Sequence, residues 1–162
     1  DQTIAMMNAG APLDEIIHTV KPPPNLAGKP WLQPVYDEPE FIVHNIWRLE
    51  GGWYDGEPAN LKPATDAERA REIAALAGGV APIVARAIER LAAGELALAC
   101  HLADWAVAAA PDDKSAHEAR MKIYAARAHD AESTMAHGIF RAAAIESAKK
   151  AGLPAPDDPR SV

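Results

Sequence analysis

Apolar residues recur at helical spacing along most of this chain, in runs separated by glycine, proline or an acid. Ala70, Ile73, Ala74 and Ala77 mark one face of a helix that opens at Thr65 and stops at Gly78 and Gly79. Thr65 with Glu68 three residues on predicts a capping box, each satisfying a free N–H of the other's turn. Ile83, Ala87, Ile88 and Leu91 mark the next helix, with Pro82 in its first turn and Gly94 past its end. Leu96, Ala99, Cys100, Ala103, Ala106 and Val107 mark a third, which ends before Pro111. Asp112 or Asp113 caps a fourth, carrying Ala116, Ala119, Ile123 and Tyr124. A last helix, about 131 to 150, carries Met135, Ile139, Phe140 and Ala143 and closes at Lys149, Lys150 and Gly152. The series Gly94, Ala99, Ala103, Ala106 and Pro111 has the spacing of a tetratricopeptide-like hairpin, in which small side chains let two helices approach closely. The stretch 114–147 matches that spacing poorly, so stacked antiparallel pairs are predicted rather than a solenoid.

The first third of the chain is less regular. Residues 1–9 read as a short helix with Ile4 and Met7 on one side, ended by Gly10 in a left-handed conformation. A second short helix over 12–20 carries Leu13, Ile16, Ile17 and Val20, with Asp14 and Glu15 near its positive end. Five prolines in "KPPPNLAGKPWLQP", residues 21–34, predict an extended, polyproline-like connector, held to the core by Trp31 and Leu32. Over 38–50, Ile42, Ile46 and Leu49 fall at i, i+4 and i+7 and predict a buried stripe. Asn45 lies on it as an amide that needs partners, while His44 and Arg48 share an adjacent face. "GGWYDGEPANL", residues 51–61, then breaks the pattern. Gly51 and Gly52 end the helix, Asp55-Gly56 signals a tight turn and Pro58 stiffens the exit. Trp53 is expected to pack one turn beyond Leu49 and clasp the helix end. The predicted fold class is all-α: antiparallel helical hairpins with tetratricopeptide-like packing, plus the proline-rich segment and the WYDG turn. One helical domain is expected over 1–152, with a flexible tail over 153–162.

Composition narrows the partners. The chain has 162 residues, enough for a real core, but only 6% are aromatic, so small aliphatic side chains must do most of the packing. Its 16 basic and 23 acidic residues give a net charge of −7, with no basic stripe to displace counterions from nucleic acid and a poor match to an anionic membrane. No apolar run has the length of a membrane span. The single cysteine, Cys100, sits in an apolar helical pattern and reads as a buried thiol, which fits a reducing, cytoplasmic compartment. The opening "DQTIAMMNAG" has no initiator Met and no signal peptide, and starts as though inside a helix. It is expected to continue a longer protein on its N-terminal side.

The chemistry is sparse. Six histidines show no HxH or HExxH spacing. His101, with Asp104 and Trp105 beyond it, reads as a surface hydrogen-bonding group, and His129 with Asp130 and Glu132 as a polar helix junction. There is no nucleophile elbow, GxGxxG or phosphate-binding loop. Only His44, Asn45, Arg48, Tyr54 and Asp55 form a mixed constellation. A catalytic role would need His44 and Asp55 within hydrogen-bond reach; turn chemistry accounts for the same glycines, Asp and Pro without one.

"HNIWRLEGGWYDGEPANLKP" resembles the signature of the dimerisation domain of metallo-β-lactamase-fold alkyl sulfatases. The matching positions are His44, Asn45, Trp47, Arg48, Gly52, Trp53, Tyr54, Asp55, Gly56, Pro58, Ala59 and Leu61. "DQTIAMMNAGAPLDEI" and the run from Ala70 to Asp113 are similar to the same family, so the likeness extends to about residue 150. Two positions depart: Glu57 stands where many members have Asn, and "YDEPEF" replaces a tyrosine- and glycine-rich segment. The resemblance implies a homodimerising helical domain of a larger hydrolase. In that family a preceding domain holds two zinc ions and cleaves alkyl sulfate esters, and many members add a lipid-handling domain. The HxHxDH zinc motif is absent from this chain, so no cofactor and no catalytic residue is carried over to it. The runner-up reading is a tetratricopeptide-like module that binds a peptide or protein; the third is an enzyme using His44 and Asp55.

Overall fold

The computed structural model describes residues 1–158. Among these residues there are nine α-helices, two single turns of 3₁₀ helix and no strand. They group into two compact units, one of residues 1–63 with 132–134 and one of 64–131 with 135–158.

In the N-terminal unit, α1 (Gln2–Asn8) and α2 (Leu13–Thr19) pack on α4 (Pro39–Gly51). Two seven-residue helices cannot stand alone in water, so α4 is what holds them. Gly10 takes φ +81°, as its place after α1 requires. The core is thin: Ile16 and Val43 are its only buried apolar side chains among the described residues, beside Thr3. Ser133 Oγ donates to Glu38 Oε1 at 2.7 Å and Thr134 N donates to Val35 O at 2.8 Å, which ties the short 132–134 stretch into this unit.

Three expectations for this unit change. The proline-rich segment is not extended throughout: α3 (Pro24–Ala27) and a 3₁₀ turn (Pro30–Leu32) each start on a proline. At a first helical position the missing N–H costs nothing and the fixed φ is already helical, so proline opens a turn as readily as it breaks one. Trp31 and Leu32 do not anchor a core; they are 76% and 50% exposed. The stripe of α4 is real but turned outward, with Ile42 50% and Leu49 80% exposed, while Val43 takes the buried position. Asn45 is accordingly exposed and needs no buried partner.

The C-terminal unit is built on close helix contacts. α5 (Asp66–Leu76) and α6 (Val80–Ala92) both pack on α7 (Leu96–Ala109), which also packs on α8 (Lys114–Asp130). The Thr65–Glu68 capping box opens α5 in both directions, and Asp113 caps α8 through the N–H groups of Ser115 and Ala116. Ala87, Ala99, Cys100, Ala103, Ile123, Tyr124 and Ala144 form one buried cluster, and Ala74, Ile83, Ala106 and Ala116 a second. Alanine at nearly every seam removes the side-chain bulk that would hold backbones apart. α9 (Thr134–Ala151) buries Ala136, Ala144, Ser147 and Ala148 outright; of the expected Met135–Ile139–Phe140–Ala143 face, Phe140 and Ala143 pack partly buried against the first cluster, while Ile139 is 60% exposed. The flexible tail expected over 153–162 lies outside the described residues from 159 on. Before that, the chain returns along α9, and Asp158 pairs with His137 and Arg141.

Candidate functional site

The WYDG segment is fastened to α4 by one bond. Trp47 Nε1 donates to Tyr54 O at 2.9 Å, across the glycines that end the helix. Gly52 takes φ +85°, which reverses the chain without the Cβ clash another residue would meet. Gly51 lies in a tight spot for a different reason: a Cβ there would sit 3.0 Å from Met7 Cε, so the flexible end of that side chain would have to give way. The clasp on the helix end is therefore Trp47, and Trp53, the residue expected to make it, is 74% exposed. Trp53 meets Tyr54 edge-on, with ring centroids 6.1 Å apart.

Asp55 organises the turn itself. Its Oδ1 accepts from Glu57 N at 2.9 Å and its Oδ2 from Asn60 Nδ2 at 2.6 Å. The Asn60 amide, and then the Glu57 N–H, hold the Asp55 carboxyl below the usual carboxylate range. Gly56 at φ +95° follows, and Pro58 opens a 3₁₀ turn (Pro58–Leu61) that contains Ala59 and Leu61, both exposed. Both Asp55 oxygens are committed within the turn and none reaches His44. The catalytic pair needed for the third reading is not formed. His44, Asn45 and Arg48 all face solvent on α4, where they present a hydrogen-bonding surface and not a nucleophile with its base. Among the described residues, no three of His, Cys, Asp and Glu are placed to hold a metal ion.

A polar network in the C-terminal unit was not foreseen. Arg120 Nε donates to Asp104 Oδ1 at 2.6 Å, and its Nη1 donates to Ser147 Oγ at 2.8 Å and Ala143 O at 3.2 Å. Tyr124 Oη donates to Asp104 Oδ2 at 2.6 Å, and the Arg120 guanidinium lies 4.7 Å from the Tyr124 ring centre. Burial first, and then the Asp104 bond, push the Tyr124 phenol well above its ordinary value. Burial likewise pushes the neighbouring Cys100 thiol up to about 11, so this is an inert core thiol. Asp104 thus serves Arg120 and Tyr124 of α8, not the expected His101, and Arg120 carries the network on to α9; His101 instead lies beside Trp105, ring centres 6.4 Å apart. His117 Nε2 donates to Pro111 O at 2.8 Å and fixes the entry into α8.

With this geometry in hand, the relatives are informative. The family model for alkyl sulfatase dimerisation matches residues 12–150. This chain belongs to the alkyl sulfatase dimerisation family. It is 34% identical over 125 residues to a linear primary-alkylsulfatase of Pseudomonas sp., covering 76% of this chain and 24% of that protein. It is 25% identical over 146 residues to the alkyl/aryl-sulfatase BDS1 of Saccharomyces cerevisiae, covering 90% of this chain and 23% of that one. Among solved structures, a double mutant of the sec-alkyl sulfatase PisA1 superposes with a TM-score of 0.86 at 25% identity, over 97% of this chain and 25% of that chain. The sec-alkylsulfatase Pisa1 from Pseudomonas sp. gives 0.83 at 24% identity, over 96% of this chain and 24% of that chain. The chain therefore spans about a quarter of the length of the relatives it matches. All twelve signature positions, His44 to Leu61, fall inside the span the family model matches.

Proposed function

We propose that this chain is the homodimerisation domain of a larger alkyl-sulfatase-type hydrolase and carries no hydrolysis of its own. The observation that supports this best is the surface of the N-terminal unit. Ten of the sixteen large apolar side chains left exposed among the described residues lie there, including Trp31, Val35, Tyr36, Leu49 and Trp53. So many large apolar side chains left in water on one small unit favour a surface that a partner covers. Membership of a dimerisation family favours a second copy of the chain as that partner.

The hydrolytic chemistry would belong to a part of the protein outside this chain, which spans about a quarter of the length of its relatives. His44, Asn45, Arg48, Tyr54 and Asp55 then act as structure and contact surface. Light scattering during size exclusion tests the reading. The chain is expected to elute as a dimer at high micromolar concentration and to stay so in moderate salt, because apolar burial is not screened. A monomer under those conditions would sink the proposal. Incubated with alkyl sulfates, with and without zinc, the chain is expected to release no sulfate.

A further inference from the structure

The outward face of α4 does not look like a finished surface. Ile42, Ile46 and Leu49 share it with Asn45 between them, yet Ile42 and Leu49 are 50% and 80% exposed. The buried side of the helix, through Val43, lies about 100° further round. At the C-terminal end of the same helix the Trp47–Tyr54 bond holds the Trp53–Tyr54 pair, with Trp53 74% exposed. By ordinary side-chain sizes, Ile42, Leu49, Trp53 and Tyr54 leave roughly 500 Å² of apolar surface in water. A standard interface buries about 800 Å² per partner, of which roughly 450–520 Å² is apolar. The area in hand therefore fits one protein partner and is more than a small ligand or a short peptide would cover. Beside the stripe, Ile42, Val43 and Ile46 line an apolar groove of about 520 Å³ with Thr3, Val20 and Pro39.

We propose that this face of α4, extended by Trp53, is the seam where two copies of the chain meet. The proposal rests on the homodimer reading above and adds which surface carries it. Both protomers use the same face about a two-fold axis, with the two α4 helices antiparallel. Asn45 and Ile46 lie midway between Ile42 and Leu49, so an axis there sets the partner's Leu49 against the groove at Ile42, and the reverse. Asn45 then meets its own equivalent, an amide pair that fixes register. Arg48, further round the helix beyond Asn45, lies at the polar edge of this face, and His44 stands on the opposite side.

The experiment compares Leu49→Glu with Leu76→Glu, an 88% exposed leucine of the C-terminal unit. Sedimentation velocity reads the dimer, and circular dichroism checks that each variant keeps its helices. Leu49→Glu is expected to raise the dimer dissociation constant about a hundredfold or more, since the two-fold axis makes it bury two unpaired charges, one in each groove at Ile42. Leu76→Glu is expected to change it less than about threefold, as a rim charge would. A dimer that survives Leu49→Glu unchanged overturns the seam and leaves the homodimer reading standing. A wild-type chain that is monomeric overturns both.

Discussion

The two units of this chain solve the burial problem in opposite ways. The C-terminal unit holds sixteen of the eighteen buried apolar residues among those described, most of them alanine, and exposes six large apolar side chains. The N-terminal unit holds two buried and exposes ten. The first is a self-sufficient core made from close helix approach. The second has the larger side chains but too little chain to enclose them, so its apolar surface is available for something else. Size of side chain and depth of core are thus uncoupled: tryptophan and tyrosine sit outside, alanine inside.

That contrast can be broken most sharply at Ile123, fully buried in the main cluster. Ile123→Ala is expected to cost about 3–4 kcal/mol in urea unfolding, for lost contacts and the cavity left behind. Trp53→Ala should change the stability of the isolated protomer by less than about 0.5 kcal/mol, because so little of it is covered. Equal losses at the two sites would mean that the N-terminal surface is packed in solution. Next in size is Arg120→Met, which strips Asp104, Ser147 and Ala143 O of one shared donor while keeping most of the volume. About 2–3 kcal/mol is expected there, because partly buried acceptors lose their charge-assisted bond. In the N-terminal unit, Trp47→Phe keeps the ring contacts and loses only the bond to Tyr54 O. It should cost about 1 kcal/mol and release the 52–57 loop, seen as faster amide exchange there.

A last pair of effects separates the units by pH. Burial raises the Cys100 thiol to about 11 from an ordinary value near 8.5. Between those values the unfolded chain gives up this proton and the folded one keeps it, so stability falls as pH rises, by at most about 1.4 kcal/mol per pH unit. Asp55 works the other way. Its carboxyl is held low in the folded turn, so its contribution is complete above the ordinary carboxylate value and is lost as the pH falls below it. Alkali should therefore loosen the C-terminal unit first and acid the WYDG turn first, the latter followed through the Asn60 side-chain amide by NMR. The reverse order would show that other groups govern both transitions.

What was legible in the sequence follows the same division. Caps and stops are local, and Thr65–Glu68, Asp113, Gly10 and the helix ends at Gly78 and Gly94 stand where residue type alone puts them. The family signature was legible for the same reason, as a contiguous run. Periodicity found the stripe on α4 but assigned it to the wrong side, because a pattern of apolar residues says that a face will be covered and not by which chain. On α9 periodicity put Phe140 and Ala143 against the core but missed the alanines that are most deeply buried and misplaced Ile139, since alanines on every side leave little contrast between faces. The Asp104–Arg120–Ser147 network joins residues sixteen and twenty-seven positions apart and has no local trace.

The placement of the tryptophans makes the chain its own reporter. Of the four, Trp31, Trp47 and Trp53 belong to the N-terminal unit and only Trp105 to the other. Trp31 and Trp53 are wet in the single protomer, so the intrinsic emission of a dilute sample should be dominated by indoles in water. If the seam on α4 closes over Trp53, emission should move to the blue as concentration rises, with no label attached. Unfolding by urea, by contrast, would change Trp31 and Trp53 little, because both already stand in the environment that denaturation would give them.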